Sequence, residues 1–384
     1  MTASTDSRSP DTSMLVAVLE APDRPLELLR IPRPVPRQGE ALVAVTACGV
    51  CHTDLHVMRG EVAFPTPAVL GHEISGNVVE LGPDTPEGEL TVGREVVGAF
   101  IMPCGTCPAC LRGRDDMCGP FFAMNRLNGT LYDGQTRLHR ADGRPLAMYS
   151  MAGFAEYAVV PVTALTPVPA GLDLESAAIL GCAGMTAYGA VHNAAHLQAG
   201  ESVAVVAVGG VGSSIVQLAR AAGAATVIAV DVGADKLAAA GRLGADHLVD
   251  SRSVDPVAAV RELTGGRGAD VVFEALGLPQ TFEQAVGMVA DGGRMVAVGI
   301  GSGAAAASIP ITHLVRRGLQ VVGSFGARTR VDLPAVVAST AAGSLSLPET
   351  VTRRYPLTAV NEAFADLAAG RIQGRAVITM GGRP

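Results

Sequence analysis

From Ser202 onward the chain alternates short Val-rich runs with glycine-bearing turns and helix-forming stretches, and that rhythm admits few folds. The run Ser202 to Val208 precedes glycines and SSIVQLARAAG, TVIAV precedes DKLAAAGRLG, and HLVD, DVVFE, RMVAVGI and LQVVGSF continue the series. Runs that are apolar at nearly every position suit strands covered on both faces, with the intervening helices as the cover. The expected fold is α/β, with a doubly wound parallel nucleotide-binding sheet that begins near Gly184 and ends near Phe325.

The preceding segment reads differently. MLVAVLE, ALVAVTACG, ISGNVVELG, REVVGAFIM and FAEYAVV are short strand formers punctuated by Pro and Gly, as in a mostly antiparallel domain whose loops carry the polar groups. A length of 384 residues favours two domains over one core. The expected division is a flexible tail at 1–13, a strand-rich domain at 14–183, the nucleotide domain at 184–325, and a return of 326–384 to the first domain. That return contains a helix over Ala359 to Ala369 and a strand in RAVITM. A formal charge of -7 leaves no basic footprint for nucleic acid or an anionic membrane. Apolar stretches break before the roughly 20 residues that span a bilayer, and the N-terminus lacks the pattern of a secretory signal, so the expected location is cytoplasmic.

Seven cysteines are unevenly placed. Cys104-x2-Cys107-x2-Cys110-x7-Cys118 offers four thiolates within 15 positions, a set that suits a closed tetrahedral zinc site or an iron–sulfur centre. Cys51, His72 and Cys182 lie far apart, in GVCHTDLH, GHEISG and GCAGMTAYG. Together they would supply two thiolates and one imidazole to a zinc with one position left open. Taken singly, Cys182 also suits a small core position and His72 a satisfied surface histidine.

These motifs, in this order, resemble the zinc-dependent medium-chain alcohol dehydrogenase family from about Leu15 to Met380. The resemblance implies a GroES-like catalytic domain beside an NAD-binding Rossmann domain. It implies a catalytic zinc on Cys51, His72 and Cys182, and it reads Cys104, Cys107, Cys110 and Cys118 as the structural zinc lobe. By the same resemblance Glu73 is the acid near the catalytic zinc and Asp54 the carboxylate that receives the proton of the ligating imidazole. Thr53, whose hydroxyl can accept an alcohol proton while passing on its own, begins a relay that the resemblance continues through the cofactor ribose to His56. His52 corresponds to a pyrophosphate contact, Lys236 to a residue near the adenosine ribose, Arg375 to a late arginine on the cofactor phosphate, and Phe100 to the substrate pocket. NGTLYDGQTRL resembles the extended loop of the dimeric members, which implies a homodimer.

The dinucleotide fingerprint departs from its usual form. Gly209, Gly210, Val211 and Gly212 follow Ala207, where the first glycine of GxGxxG would ease the tight turn. Asp231 ends the second strand 19 residues after Gly212, placed to accept from a ribose diol and to repel an added 2'-phosphate, so NAD is expected over NADP. The expected activity is reversible oxidation of a hydrophobic primary or aromatic alcohol to its aldehyde. A specialised aldehyde reductase or formaldehyde thiol-adduct dehydrogenase is the alternative within the class, and a noncatalytic NAD- or metal-sensing protein the alternative outside it.

Overall fold

The computed structural model describes residues 12–85, 88–301 and 303–381. Residues 1–11 of the expected tail lie outside them, whereas Ser13 already opens a strand, β1 (Ser13–Leu19), paired antiparallel with β2 (Glu27–Pro32). The chain divides into two compact units.

The first unit holds the described residues up to Val168, together with Arg354–Ala369 and those from Val377 onward. One of its sheets runs β2-β1-β4-β8-β7, with β4 at Ala68–Val69, β7 at Leu138–His139 and β8 at Pro145–Met148. The other is built around β3 (Glu40–Val50), which pairs with both β5 (Ile74–Leu81) and β9 (Tyr157–Pro161) and is accordingly buried at nine of its 11 positions. Beyond β5 lie β6 (Glu95–Gly98) and β10 (Leu165–Pro167), and on the other side β18 (Arg375–Thr379) and β17 (Val351–Pro356). The register of β3 against β5 shifts between Val45 and Ala47, shortly before the strand delivers Cys51. Such irregularities re-aim a strand where it approaches a site.

The second unit, Pro169–Arg353 with Gly370–Ala376, contains a six-stranded sheet that is parallel throughout. Its order is β13 (His247–Asp250), β12 (Thr226–Asp231), β11 (Ser202–Val206), β14 (Ala269–Glu274), β15 (Val289–Ala297), β16 (Gln320–Gly323). Ala204, Val206, Ile228, Val230, Val272 and Met295 form the core of the unit with residues of the flanking helices. The strand order reverses between β11 and β14, the point in such sheets where a ligand enters.

The division of the chain departs from the sequence expectation in two places. The first unit closes at Val168, earlier than 183, and of the expected return 326–384 both 326–353 and Gly370–Ala376 belong to the second unit instead. The reason is side-chain packing that no local pattern reveals. A Cβ added at Gly184 would meet Leu180, Val336 and Leu345 at 3.1 to 3.7 Å, so the helix Thr329–Ala341 and the turn after it close directly over the segment that carries Gly184. Asn193 Nδ2 donates to Asp332 at 2.7 Å, and Ser346 N donates to Gln217 at 2.7 Å. Among the described residues no single helix is long and apolar enough to cross a membrane.

The long connection after Cys118 is clipped to the start of β3 by an ion-pair network. Arg137 donates from Nε and Nη2 to the two oxygens of Glu40 at 2.9 and 2.6 Å and also reaches Asp133, which pairs with Arg37. The Arg137 and Glu40 side chains are only 4% and 9% exposed, so removing one leaves a desolvated charge behind. Arg137→Ala is expected to cost about 3 kcal/mol or more of stability, read as a fall in the calorimetric melting temperature. A melting temperature equal to wild type would show the network to be solvated.

Candidate functional site

The four cysteines of the lobe are gathered by a very short chain path. Cys107 precedes the single turn Pro108–Leu111, which carries Cys110, and the turn Asp115–Met117 leads to Cys118. Cys104 Sγ lies 4.0 Å from Cys110 Sγ, and Cys107 Sγ 4.0 Å from Cys118 Sγ, with none joined in a disulfide. Zinc bound to four sulfurs at about 2.3 Å in a tetrahedron would hold them about 3.8 Å apart, so the donor set fits that ion closely. The thiols differ in readiness to ionise: a hydrogen bond from the Cys110 backbone brings Cys107 down to about 6, while burial lifts Cys118 to about 11 and Cys110 higher still. A cation at the centre is what would let all four ionise together.

A second group of ligand atoms converges at the start of the helix His52–Met58. Cys51 precedes its first turn, and His72 and Glu73 arrive on the chain entering β5. The ligand atoms of Cys51, His72 and Glu73 lie within 4.8 Å of one another, and all three residues are buried. Asp54, fully buried, sets the imidazole: its carboxylate oxygens lie 3.2 and 3.0 Å from His72 Nδ1, and it also accepts from Gly71 N at 3.1 Å. With Nδ1 engaged, Nε2 faces Glu73, whose Oε1 is 3.7 Å away. Burial alone would pull the His72 pKa down, but Asp54 and Cys51 outweigh it and the net shift is upward. Two thiolate or carboxylate neighbours around one imidazole form a pocket of negative charge that suits a cation.

Thr53 and His56 sit on the same helix. Thr53 Oγ1 is 3.6 Å from Cys51 Sγ, and His56 Nδ1 is hydrogen-bonded to Glu61 with 42% of its side chain exposed. His52 is exposed at the first position of the helix, its ring 6.5 Å from that of His56. Phe100 is buried and meets the His72 ring edge-on at 6.2 Å. Cys182, in the second unit, ends the turn Ala178–Gly181 and begins the helix Ala183–Tyr188, accepting from Thr186 N at 2.8 Å.

The nucleotide loop occupies the C-terminal end of β11. Gly209 caps the 12-residue helix Gly210–Ala221, whose first turn contains Gly210, Val211 and Gly212. Such a helix start directs free N–H groups at an anion. Arg375 supplies a fixed cation there: a Cβ at Gly210 would lie 2.4 Å from its Cδ and 3.0 Å from its Nη1. Asp231 accepts from Val208 N at 2.9 Å and Gly233 N at 2.8 Å, which ties the loop to the end of β12 and leaves lone pairs for a diol. Lys236 lies over Gly233, where an added Cβ would be 3.2 Å from its Cδ. The turn keeps its shape because Ala207 adopts the left-handed conformation, with φ of 68°, that a glycine would take freely.

Sequence reasoning passed over two residues beside His72. Gly49 leaves room for Glu73, since a Cβ there would be 2.1 Å from Glu73 Oε2; its place in GVC was the available signal. Tyr149 is buried with its ring 6.1 Å from that of His72, a contact across 77 residues with no local signature, and the Arg126 guanidinium lies over the same ring, 4.2 Å from its centroid.

Two family models match the chain: the alcohol dehydrogenase GroES-like domain over residues 37–170, and the zinc-binding dehydrogenase over residues 210–342. It is 33% identical over 360 residues to the NDMA-dependent alcohol dehydrogenase of Amycolatopsis methanolica, covering 92% of this chain and 96% of that one. Identity is 34% over 364 residues to an S-(hydroxymethyl)glutathione dehydrogenase of Escherichia coli, again covering 92% and 96%. The benzyl alcohol dehydrogenase of Acinetobacter calcoaceticus superposes with a TM-score of 0.89 at 30% identity, covering 96% of this chain and 99% of that one.

The strain at Ala207 is measurable. Gly212 lies so close beneath it that an added Cβ would sit 2.0 Å from the Ala207 carbonyl oxygen, so the turn cannot relax inward. Ala207→Gly is expected to raise stability by up to about 1 kcal/mol, and the β-branched Ala207→Val to lower it by about as much or more. Thermal unfolding of both variants checks the order; equal stability would mean the turn has another conformation.

Proposed function

This chain belongs to the zinc-dependent medium-chain alcohol dehydrogenase family, and from that premise we propose that it oxidises a hydrophobic primary or aromatic alcohol reversibly to its aldehyde with NAD. The observation that carries this reading is the meeting of Cys51, His72 and Glu73 within 4.8 Å, beside the Thr53 hydroxyl. In this reading Cys51 and His72 are ligands of a catalytic zinc and Cys182 is the third, as its place in GCAGMTAYG implies. Zinc held there supplies Lewis acidity, which makes an alcohol hydroxyl easier to deprotonate and a carbonyl easier to reduce. A second zinc would be held by Cys104, Cys107, Cys110 and Cys118, whose four thiolates would supply all its ligands and give it a structural part.

The chain's own groups divide the remaining work. Thr53 Oγ accepts the substrate hydroxyl proton while donating its own onward, and the partly exposed imidazole of His56 passes it to solvent. Asp54 orients His72, and Glu73 assists ligand exchange. Phe100 supplies an apolar wall for the substrate. Gly209, Gly210, Val211, Gly212 and Arg375 hold the pyrophosphate, assisted by His52; Asp231 and Lys236 hold the adenosine ribose, with Asp231 disfavouring a 2'-phosphate. Bound NAD supplies the hydride acceptor, so one alcohol yields one aldehyde, NADH and a proton. The active species in this reading is a cytoplasmic homodimer. Similarity to S-(hydroxymethyl)glutathione dehydrogenases supports a second reading, in which the alcohol is a thiol adduct of formaldehyde.

The deciding experiment measures NAD and NADP reduction by zinc-loaded protein with short aliphatic alcohols, benzyl alcohol and S-(hydroxymethyl)glutathione. NAD should exceed NADP in kcat/KM, and a preference for NADP would defeat the assignment from Asp231. Thr53→Ala should lower kcat about 100-fold with two zinc ions retained; unchanged turnover, with hydride transfer rate-limiting, would remove Thr53 from the relay. No cofactor reduction with any alcohol would leave the noncatalytic sensor as the better reading.

A further inference from the structure

Glu274 ends β14 as a completely buried carboxylate that the chemistry above does not use. Its Oε1 accepts from Leu276 N at 3.0 Å, Gly277 N at 2.9 Å and Thr281 Oγ1 at 2.7 Å, and its Oε2 accepts from Gly277 N at 3.1 Å. Its main-chain carbonyl accepts from Val298 N at 2.8 Å and Gly299 N at 2.9 Å. One residue thus ties the turn after β14, the first turn of the helix Pro279–Met288 and the loop after β15. The two loops touch backbone to backbone: a Cβ on Gly299 would lie 2.1 Å from Gly277 N, and one on Gly277 would lie 2.5 Å from the Ile300 carbonyl carbon.

Charge-assisted hydrogen bonds of this kind are stronger and more directional than neutral ones, so the carboxylate fixes the turn after β14 more firmly than packing alone would, and the loop after β15 lies directly against that turn. Their position suggests what the rigidity serves. A dinucleotide lies across the C-terminal ends of the strands at the reversal of strand order, here between β11 and β14. The glycine loop and Asp231 occupy the β11 and β12 side, which takes the adenosine half. The other half must therefore extend over β14 and β15, where Glu274 braces both loops.

We infer that Glu274 is a positioning residue for the nicotinamide half of the dinucleotide, its carboxylate acting through the backbone of Leu276–Gly277, against which Gly299 and Ile300 pack. This rests on the cofactor reading above. A merely structural brace would matter equally to every ligand of the unit, whereas a positioning role is selective for the half that reaches β14.

The test compares binding of NADH and ADP-ribose, which share the adenosine and pyrophosphate groups, by calorimetry on the zinc-loaded protein. Glu274→Gln should weaken NADH about tenfold, equivalent to about 1.4 kcal/mol, while ADP-ribose changes less than twofold. It should also lower kcat more than it raises the KM for alcohol. Thr281→Val, which leaves the carboxylate and its backbone partners in place, should shift NADH in the same sense by a smaller factor and provides the comparison if the first variant does not fold. Equal weakening of both ligands, or of neither, overturns the inference. Wild-type protein that binds neither ligand overturns the cofactor reading itself, and this inference with it.

Discussion

The contact between Asp54 and His72 organises the first unit's site. A carboxylate with no solvent exposure is tolerable only if its charge is met, and here it is met by an imidazole Nδ1 and the Gly71 N–H together. This joins the helix that begins after Cys51 to the chain entering β5, so the two segments cannot move independently without stranding a buried charge. Fixing Nδ1 also settles which nitrogen faces Glu73, and a carboxylate partner raises the basicity of an imidazole that ligates a metal. Gly49 belongs to the same arrangement, because any side chain there would occupy the space of the Glu73 carboxylate.

A similar economy governs the nucleotide unit. Asp231 fastens the glycine loop to β12 through Val208 N before any ligand arrives, so the groups that would meet a ribose and a pyrophosphate share one rigid support. Preorganisation of that kind reduces the ordering cost of binding. Gly212 lets the helix start directly beneath the Ala207 carbonyl, and Arg375, brought back by the last strand, lies against Gly210. Glu274 repeats the device on the other side of the strand reversal, where a buried carboxylate and two glycines hold adjacent loops in contact.

Much of this was legible beforehand. Apolar runs longer than simple alternation announced the parallel strands, and Val-rich β11, β12 and β14 occur where their sequences predict them. The tight Cys104 to Cys118 spacing made their convergence nearly unavoidable, since 15 positions leave few ways to keep four thiols apart. Less visible were partnerships between distant segments. The helix Thr329–Ala341 has an apolar content that fits either unit, and only its packing near Gly184 and the bond from Asn193 to Asp332 assign it to the second. Likewise the short strand Glu27–Pro32 has one buried residue and carries no strong pattern, so its pairing with β1 was not apparent.

The sequence by itself determined the α/β class, the parallel sheet and the local four-thiol cluster, because each depends on periodicity or spacing within a short stretch of chain, and the order of its separated motifs carried the family resemblance. Tertiary structure decided where the units divide, that Asp54 rather than another acid engages His72, that Ala207 takes up the left-handed turn, and that Glu274 braces two loops. Those outcomes depend on which distant groups become neighbours once water is excluded, and a buried charge or a backbone approach of 2 to 3 Å is satisfied or refused only there.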